Sequence, residues 1–245
     1  MNYAIYPSLK GRRVVVTGGG SGIGAGVVEA FVQQQAQVDF LDIDGDASRA
    51  LVDRLGDGAR YHPCDLTDLS RLSQTLSSIG DVDVLVNNAA NDDRHTLAEI
   101  TPDYWEQGTA VNLRHLLFAT QAVAPGMKAR GGGAVINFGS ISWHLGLENL
   151  VTYETAKAGI EGMTRALARE LGGDNIRVTC VVPGNVETPR QKQWYTPEEE
   201  QRILDSQALK QRLQPEHLAR LVLFLAADDG ALCTGHNYWM DAGWR

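Results

Sequence analysis

Thr17-Gly18-Gly19-Gly20-Ser21-Gly22-Ile23-Gly24 is the stretch on which the reading of this chain turns. A β-branched run at 13–16 precedes it, and Ile23, Val27, Val28, Phe31 and Val32 follow at helical spacing. Glycines between a strand and a helix let the backbone turn sharply and approach a pyrophosphate, whose charge the helix N-terminus favours. Gly18, Ser21, Gly22, Ile23 and Gly24 are therefore candidate contacts to a nucleotide. A glycine-rich turn without a ligand is the plain alternative; the position between strand and helix is what favours binding.

Outward from this turn, short apolar runs at 37–41, 60–62, 82–86, 134–138, 177–182 and 238–240 alternate with helical stretches, among them the stripe Ile160, Met163, Leu167 and Leu171. Most runs lack strict polar alternation, which suits strands covered on both faces. Such strands alternating with helices predict right-handed βαβ units. The fold expected is α/β: a Rossmann-type, doubly wound parallel sheet flanked by helices in three layers. No linker or repeat interrupts the pattern, so residues 1–245 read as one domain.

Composition narrows the function. With 43% hydrophobic and 21% charged residues the chain has a core to bury and is not a disordered one. A net charge of -8 without a basic cluster argues against nucleic acid or an anionic membrane as partner. The longest clean apolar stretch, 221–227, falls far short of the roughly 20 residues of a membrane helix, and a cytoplasmic location is expected. Cys64, Cys180 and Cys233 stand far apart and read as reduced thiols, while the six histidines show no zinc spacing, so no metal is expected.

The second strand ends at Asp42, eighteen residues beyond Gly24. A carboxylate there can accept from adenosine ribose hydroxyls and would repel a 2'-phosphate. No Arg or Lys lies in the glycine turn, and the first basic residue after Asp42 is Arg49, so NAD is expected in preference to NADP. Asp44 and Asp46 read as a solvated loop. Further on, Tyr153-Glu154-Thr155-Ala156-Lys157 sets a phenol and an ammonium at i and i+4, one face of a helix, where the ammonium would favour phenolate. Taken alone, Tyr-x-x-x-Lys is usually a surface pair.

The glycine turn, Asp42, Cys64-Asp65-Leu66, Asn87-Asn88-Ala89-Ala90, Asn112 within Val111-Asn112-Leu113, Ser140, Tyr153, Lys157 and Pro183-Gly184 follow one another in a fixed order. In that order the sequence resembles the short-chain dehydrogenase/reductases, over essentially the whole chain. The resemblance implies that Tyr153 is the general base, Lys157 lowers its pKa and holds the nicotinamide ribose, Ser140 orients the substrate oxygen, and Asn112 anchors a proton-relay water. It also implies cofactor contacts from Asp65 and Leu66 to adenine, from Asn87 beside the adenosine ribose, and from Val186 and Thr188 to the carboxamide. A homotetramer packed through helices around 105–128 and 153–171 is implied as well. One departure is visible: Ala90 stands where the family usually has glycine, and its methyl is expected to crowd the backbone or the cofactor face modestly.

Residues 5–10, 91–95, 138–147, 193–197 and 241–245 carry a closer resemblance, to sugar-oxidising members of the same family. This implies oxidation of an aldopentose at its anomeric carbon, D-xylose foremost, to a lactone with formation of NADH. The alternatives are a dehydrogenase of L-arabinose or another aldose, a 3-oxoacyl or ketone reductase, and a catalytically silent NAD-binding module. A sugar needs polar partners for its hydroxyls and an aromatic face for its C–H surface, which makes Asn91, Ser140, Trp143, His144, Tyr153, Gln191 and Trp194 candidates. The plain alternative is that Trp143 and Trp194 fill core, His144 is a loop histidine and Asn91 caps a turn. Finally, 185–214 is long for a connection; Thr196, Pro197 and Glu199 read as a capped helix start within it, and the segment is expected to form a lid, or else a static cover.

Overall fold

Val14 and Val16 of the first strand face one side of a sheet and Val15 the other, all three fully buried, so a layer of helices must cover each face. The computed structural model describes residues 3–192 and 195–244. Seven strands form the sheet: β1 (Arg13–Thr17), β2 (Gln37–Asp42), β3 (Ala59–Pro63), β4 (Val84–Asn87), β5 (Gly133–Phe138), β6 (Ile176–Pro183) and β7 (Asn237–Met240). Their order is β3-β2-β1-β4-β5-β6-β7, and every neighbouring pair is parallel. Each expected strand is present; β4 starts at Val84, two residues later than its apolar run suggests.

The helices are α1 (Gly22–Gln33), α2 (Gly45–Leu55), α3 (Leu69–Ile79), α4 (Pro102–Thr109) and α5 (His115–Ala129), then α6 (Ser142–Leu145), α7 (Val151–Leu171), α8 (Pro189–Lys192), α9 (Pro197–Ser206) and α10 (Pro215–Ala226). Phe31 of α1, Leu51 of α2 and Leu218 and Val222 of α10 pack with Val14 and Val16 on one face. Leu72 and Leu76 of α3, Ala119 and Val123 of α5 and Ala168 of α7 pack with Val15 and Leu85 on the other. Each fully buried Val, Leu or Phe among them contributes about 1.5–3 kcal/mol.

Capping matches the expectation at α9 and departs from it at α2, where Asp44, read as solvated loop, is the N-cap and Asp46 lies in the first turn. Asp44 accepts from Ala47 N–H at the start of α2, Asp68 from Ser70 and Arg71 N–H at α3, and Thr196 with Glu199 forms the expected capping box at α9. No helix among the described residues is long and apolar enough to cross a membrane. All three cysteines are free thiols, Cys64 and Cys180 buried.

Two features of the fold position the site. The winding direction reverses between β1 and β4, which pair at their carboxyl ends through Thr17 and Asn87, and a crevice opens there. Between α4 and α5 the helix widens to a π-turn over Ala110–Arg114, and Asn112 lies within it.

Candidate active site

The glycine turn is built so that only glycine fits. A Cβ on Gly24 would stand 1.9 Å from the Gly18 carbonyl oxygen, and one on Gly18, whose φ is +65°, would stand 2.7 Å from Ala89 Cα. Both obstacles are backbone and cannot swing away. Asn88 ties the turn down, its side-chain amide donating to the Thr17 and Gly18 carbonyls at 3.1 and 3.0 Å. Ser21, the N-cap of α1, makes no side-chain capping bond, which leaves the helix N-terminus open to an anion. These observations fit a dinucleotide pyrophosphate.

Around that cradle, Asp42 accepts from Gly20 N–H at 2.8 Å and Asp44 N–H at 2.9 Å. Arg49, the nearest cation along the chain, is engaged by Asp46 at 2.6 Å. Asp65 is exposed and caps its own turn, accepting from Thr67 N–H and Oγ1, and Leu66 is buried in the core. Asn87 is almost fully buried; its Nδ2 donates to Asn137 Oδ1 at 2.9 Å, while its Oδ1 is buried without a partner. Thr188 lies opposite Gly22, where a Cβ would meet its Cγ2 at 3.4 Å. Val186 is buried and bridges to Leu213. Ala90 is exposed and is not among the residues with positive φ, so its methyl meets no left-handed backbone strain.

Tyr153 and Lys157 sit on one face of α7, as their spacing requires. Ser140, arriving from the end of β5, lies close enough to the Tyr153 phenol to pull its pKa down. Burial raises the Tyr153 pKa above its ordinary value and the Asp92 carboxylate raises it further; Ser140, Arg94 and Arg190 pull it down. The Lys157 ammonium lies 5.4 Å from the Tyr153 ring centre, donates to the Phe138 carbonyl at 2.8 Å, and is pushed down to about 8 by burial. Asn112 is almost fully buried and exchanges two bonds with the Asn91 backbone, N–H to Oδ1 at 2.8 Å and Nδ2 to carbonyl at 2.9 Å.

Beside Tyr153 lies a cavity of about 180 Å³ lined by Asn91, His95, Tyr104, Asn112 and Thr152 among others. His95 accepts from Thr152 N–H through Nε2 and meets the Tyr104 hydroxyl with Nδ1 at 2.8 Å. Sequence reasoning passed over His95, Tyr104 and Thr152, which bear no motif and meet only because the 91–95 loop folds against α4 and α7. Arg190 closes the rim, bonding Asp92, Asp93 and Asn91 at 3.1, 2.7 and 3.0 Å, while Gln191 donates to Asp92 at 3.4 Å.

Two of the expected sugar contacts have partners within the protein. Trp143 Nε1 and His144 Nε2 donate to the same oxygen of Glu161, at 2.8 and 2.9 Å, and neither residue lines the cavity. A buried carboxylate must be met by donors, and the N–H groups of these two side chains answer it. Trp194 lies outside the described residues. Glu161 was readable in principle: it continues the Tyr153, Lys157 spacing by four more residues.

Residues 18–245 match the family described as enoyl-(acyl carrier protein) reductase. The chain is 67% identical over 248 residues to the D-xylose 1-dehydrogenase of Caulobacter vibrioides, covering 100% of both. It is 43% identical to a Rhizobium meliloti protein named "Probable galactose dehydrogenase GalD", covering 97% of this chain and 96% of that one. Among solved structures, a 7α-hydroxysteroid dehydrogenase complexed with NADH and 7-oxo-glycochenodeoxycholic acid superposes with a TM-score of 0.92 at 30% identity, covering 99% of this chain and 98% of that one.

Proposed function

Because the chain belongs to the short-chain dehydrogenase/reductase family, we propose that it oxidises an aldopentose at the anomeric carbon, D-xylose first, with NAD as the hydride acceptor. The observation that carries this reading is the approach of Ser140 to the Tyr153 phenol, close enough to lower its pKa, with Tyr153 on the wall of a cavity that Asn91 and Asn112 also line. Support for the substrate comes from the full-length identity to a D-xylose 1-dehydrogenase.

In this mechanism the sugar C1 hydroxyl stands between Ser140 and Tyr153. Tyr153 Oη takes the hydroxyl proton, the C1–H bond gives up its electron pair as hydride, and C1 becomes a carbonyl that remains bonded to the ring oxygen, a lactone. When bound, the oxidised nicotinamide supplies the hydride acceptor and a positive ring charge that favours phenolate. Ser140 orients the reacting oxygen, and Lys157 adds a cation beneath the phenol and holds the nicotinamide ribose. Gly18, Ser21, Gly22, Ile23 and Gly24 hold the pyrophosphate, with Asp65, Leu66, Asn87, Val186 and Thr188 around the rest of the dinucleotide. Asn91 and Gln191 are the remaining sugar contacts of the rim.

NAD is favoured over NADP because Asp42 sits at the second strand's end and Arg49 is already paired with Asp46. The protein works as a cytoplasmic homotetramer formed through α4, α5 and α7, a reading supported by the exposed apolar side chains Trp105, Leu117, Phe118 and Val151 on those helices. Residues 185–214 act as a lid whose rim bond is Arg190 to Asp92. A second reading, oxidation of a hexose such as galactose, is favoured by the 43% identity to GalD.

The test is initial-rate NADH or NADPH formation with either dinucleotide against D-xylose, L-arabinose, D-galactose, D-glucose and a secondary alcohol. The expected result is a clear lead for D-xylose with NAD. A lead for galactose selects the second reading, and activity on the alcohol alone overturns both.

A further inference from the structure

We propose that Glu161 is the positioning residue that locks the Ser140 turn to the helix carrying Tyr153, so that serine and tyrosine meet the reacting hydroxyl in one rigid frame. The proposal rests on the reading of Ser140 and Tyr153 as the proton-transfer pair.

The turn needs such a lock. Ser140 leaves β5 and is followed by α6, four residues long, which is far too short to hold itself together. Its intrinsic support is a handful of backbone bonds, His144 and Leu145 N–H to Ile141 carbonyl and Gly146 N–H to Ser142 carbonyl, together with Ser142 N–H donating to Ser140 Oγ. Outside the turn, Ile141 is buried and its N–H donates to the Pro183 carbonyl, Leu147 N–H donates to Glu154, the His144 ring lies against Trp239, and two further donors meet on one carboxylate. Trp143 and His144, neighbours in sequence, fold back with ring centres 3.6 Å apart and give both N–H groups to Glu161 Oε1. The second oxygen, Oε2, accepts from Asn237 Nδ2 on β7.

Glu161 is placed to transmit position. It follows Tyr153 by eight residues and Lys157 by four on α7, hence on nearly the same helix face. The same rigid helix therefore presents the phenol at one end of this face and, two turns later, the anchor for the turn that delivers Ser140. Only 7% of Glu161 is exposed, and a carboxylate taken out of water is tolerated here because three N–H donors from two other elements meet it. Deleting it strands all three donors and removes the side-chain tie from Trp143 and His144 to α7.

Three variants test this. Glu161→Leu removes every acceptor. Glu161→Gln keeps an Oε1 for Trp143 and His144 and places an amide N–H where Oε2 stood, which Asn237 accepts by flipping its amide to present Oδ1, a buried oxygen with no partner. Trp143→Phe removes one donor and keeps a ring, and it stands in should the leucine variant fail to fold. Amide hydrogen exchange across 139–146, read on the protein without substrate, is expected to rise about tenfold in Glu161→Leu and in Trp143→Phe and to stay unchanged in Glu161→Gln.

Turnover of the oxidised aldose is expected to fall about tenfold or more in Glu161→Leu at unchanged KM for NAD, with the glutamine variant close to wild type. In a Ser140→Ala background the same Glu161→Leu change is expected to cost less than about twofold, since its effect runs through Ser140. Losses that multiply, exchange that does not change in the leucine variant, or a glutamine variant as impaired as the leucine one would each overturn the proposal. A chain inert toward every aldose would refute the proposed function while the exchange measurement still decides the role of Glu161.

Discussion

Lys157 lies 5.4 Å from the centre of the Tyr153 ring, yet its ammonium donates to the Phe138 carbonyl at 2.8 Å, and the neighbour that most lowers the phenol is Ser140. Phenolate is the working form of a tyrosine base, so activity climbs with pH until the phenol ionises. Ser140→Ala removes a lowering interaction and should carry the rising limb of kcat/KM upward by about one pH unit; Asp92→Asn removes a raising charge and should carry it downward by a similar amount. Tyr153→Phe should lower turnover by roughly 10²–10⁴-fold while dinucleotide binding, followed by fluorescence titration, persists.

Gly24→Ala tests the cradle. Its Cβ would stand 1.9 Å from the Gly18 carbonyl oxygen, inside any tolerable contact with backbone that Asn88 already holds. The expected outcome is loss of dinucleotide binding by calorimetry together with about 1–3 kcal/mol of stability in urea denaturation.

Asp42→Ala should weaken NAD and relax the rejection of NADP, because it removes both the acceptor for ribose hydroxyls and the charge that repels a phosphate. The ratio of kcat/KM for the two dinucleotides measures this, and an unchanged ratio would remove Asp42 from that role.

His115 is wholly buried and its pKa is driven down to about 3, first by burial and then by the Lys157 charge. Between that value and the ordinary 6.5 the unfolded chain binds a proton that the folded chain refuses. Stability should therefore fall as pH drops below about 6.5, by up to ~1.4 kcal/mol per pH unit, and level off near pH 3. Denaturant titrations of wild type and His115→Asn should differ in slope across that window.

Arg190 holds Asp92 and Asp93 from the far side of the cavity mouth, 98 and 97 residues along the chain. Arg190→Ala should increase proteolysis within 185–214, and in wild type NAD with sugar should decrease it. Equal cleavage with and without both ligands would leave this segment a static cover.

What could be read from sequence followed from local rules. The glycine turn, the alternation of apolar runs with helical stripes, the cap at Thr196, and the Tyr153 to Lys157 spacing each depend on a few neighbouring residues, and each is as expected. The site's surroundings do not follow from such rules. Trp143 and His144 look like sugar contacts in a loop beside the serine, but a carboxylate on α7, 18 and 17 residues away, draws both inward. Asn87 reads as a strand-end cofactor contact, and its bond to Asn137, on the adjoining strand, is one that no local rule shows.

The sequence by itself determined the layered α/β sheet, the nucleotide turn and the catalytic pair, because backbone torsions, periodicity and i,i+4 geometry are properties of contiguous residues. Only the tertiary structure decided which polar side chains face the cavity. A buried polar group must find a partner, and which partner it finds depends on elements brought together from across the chain. His95 meets Thr152 and Glu161 gathers Trp143, His144 and Asn237 for that reason.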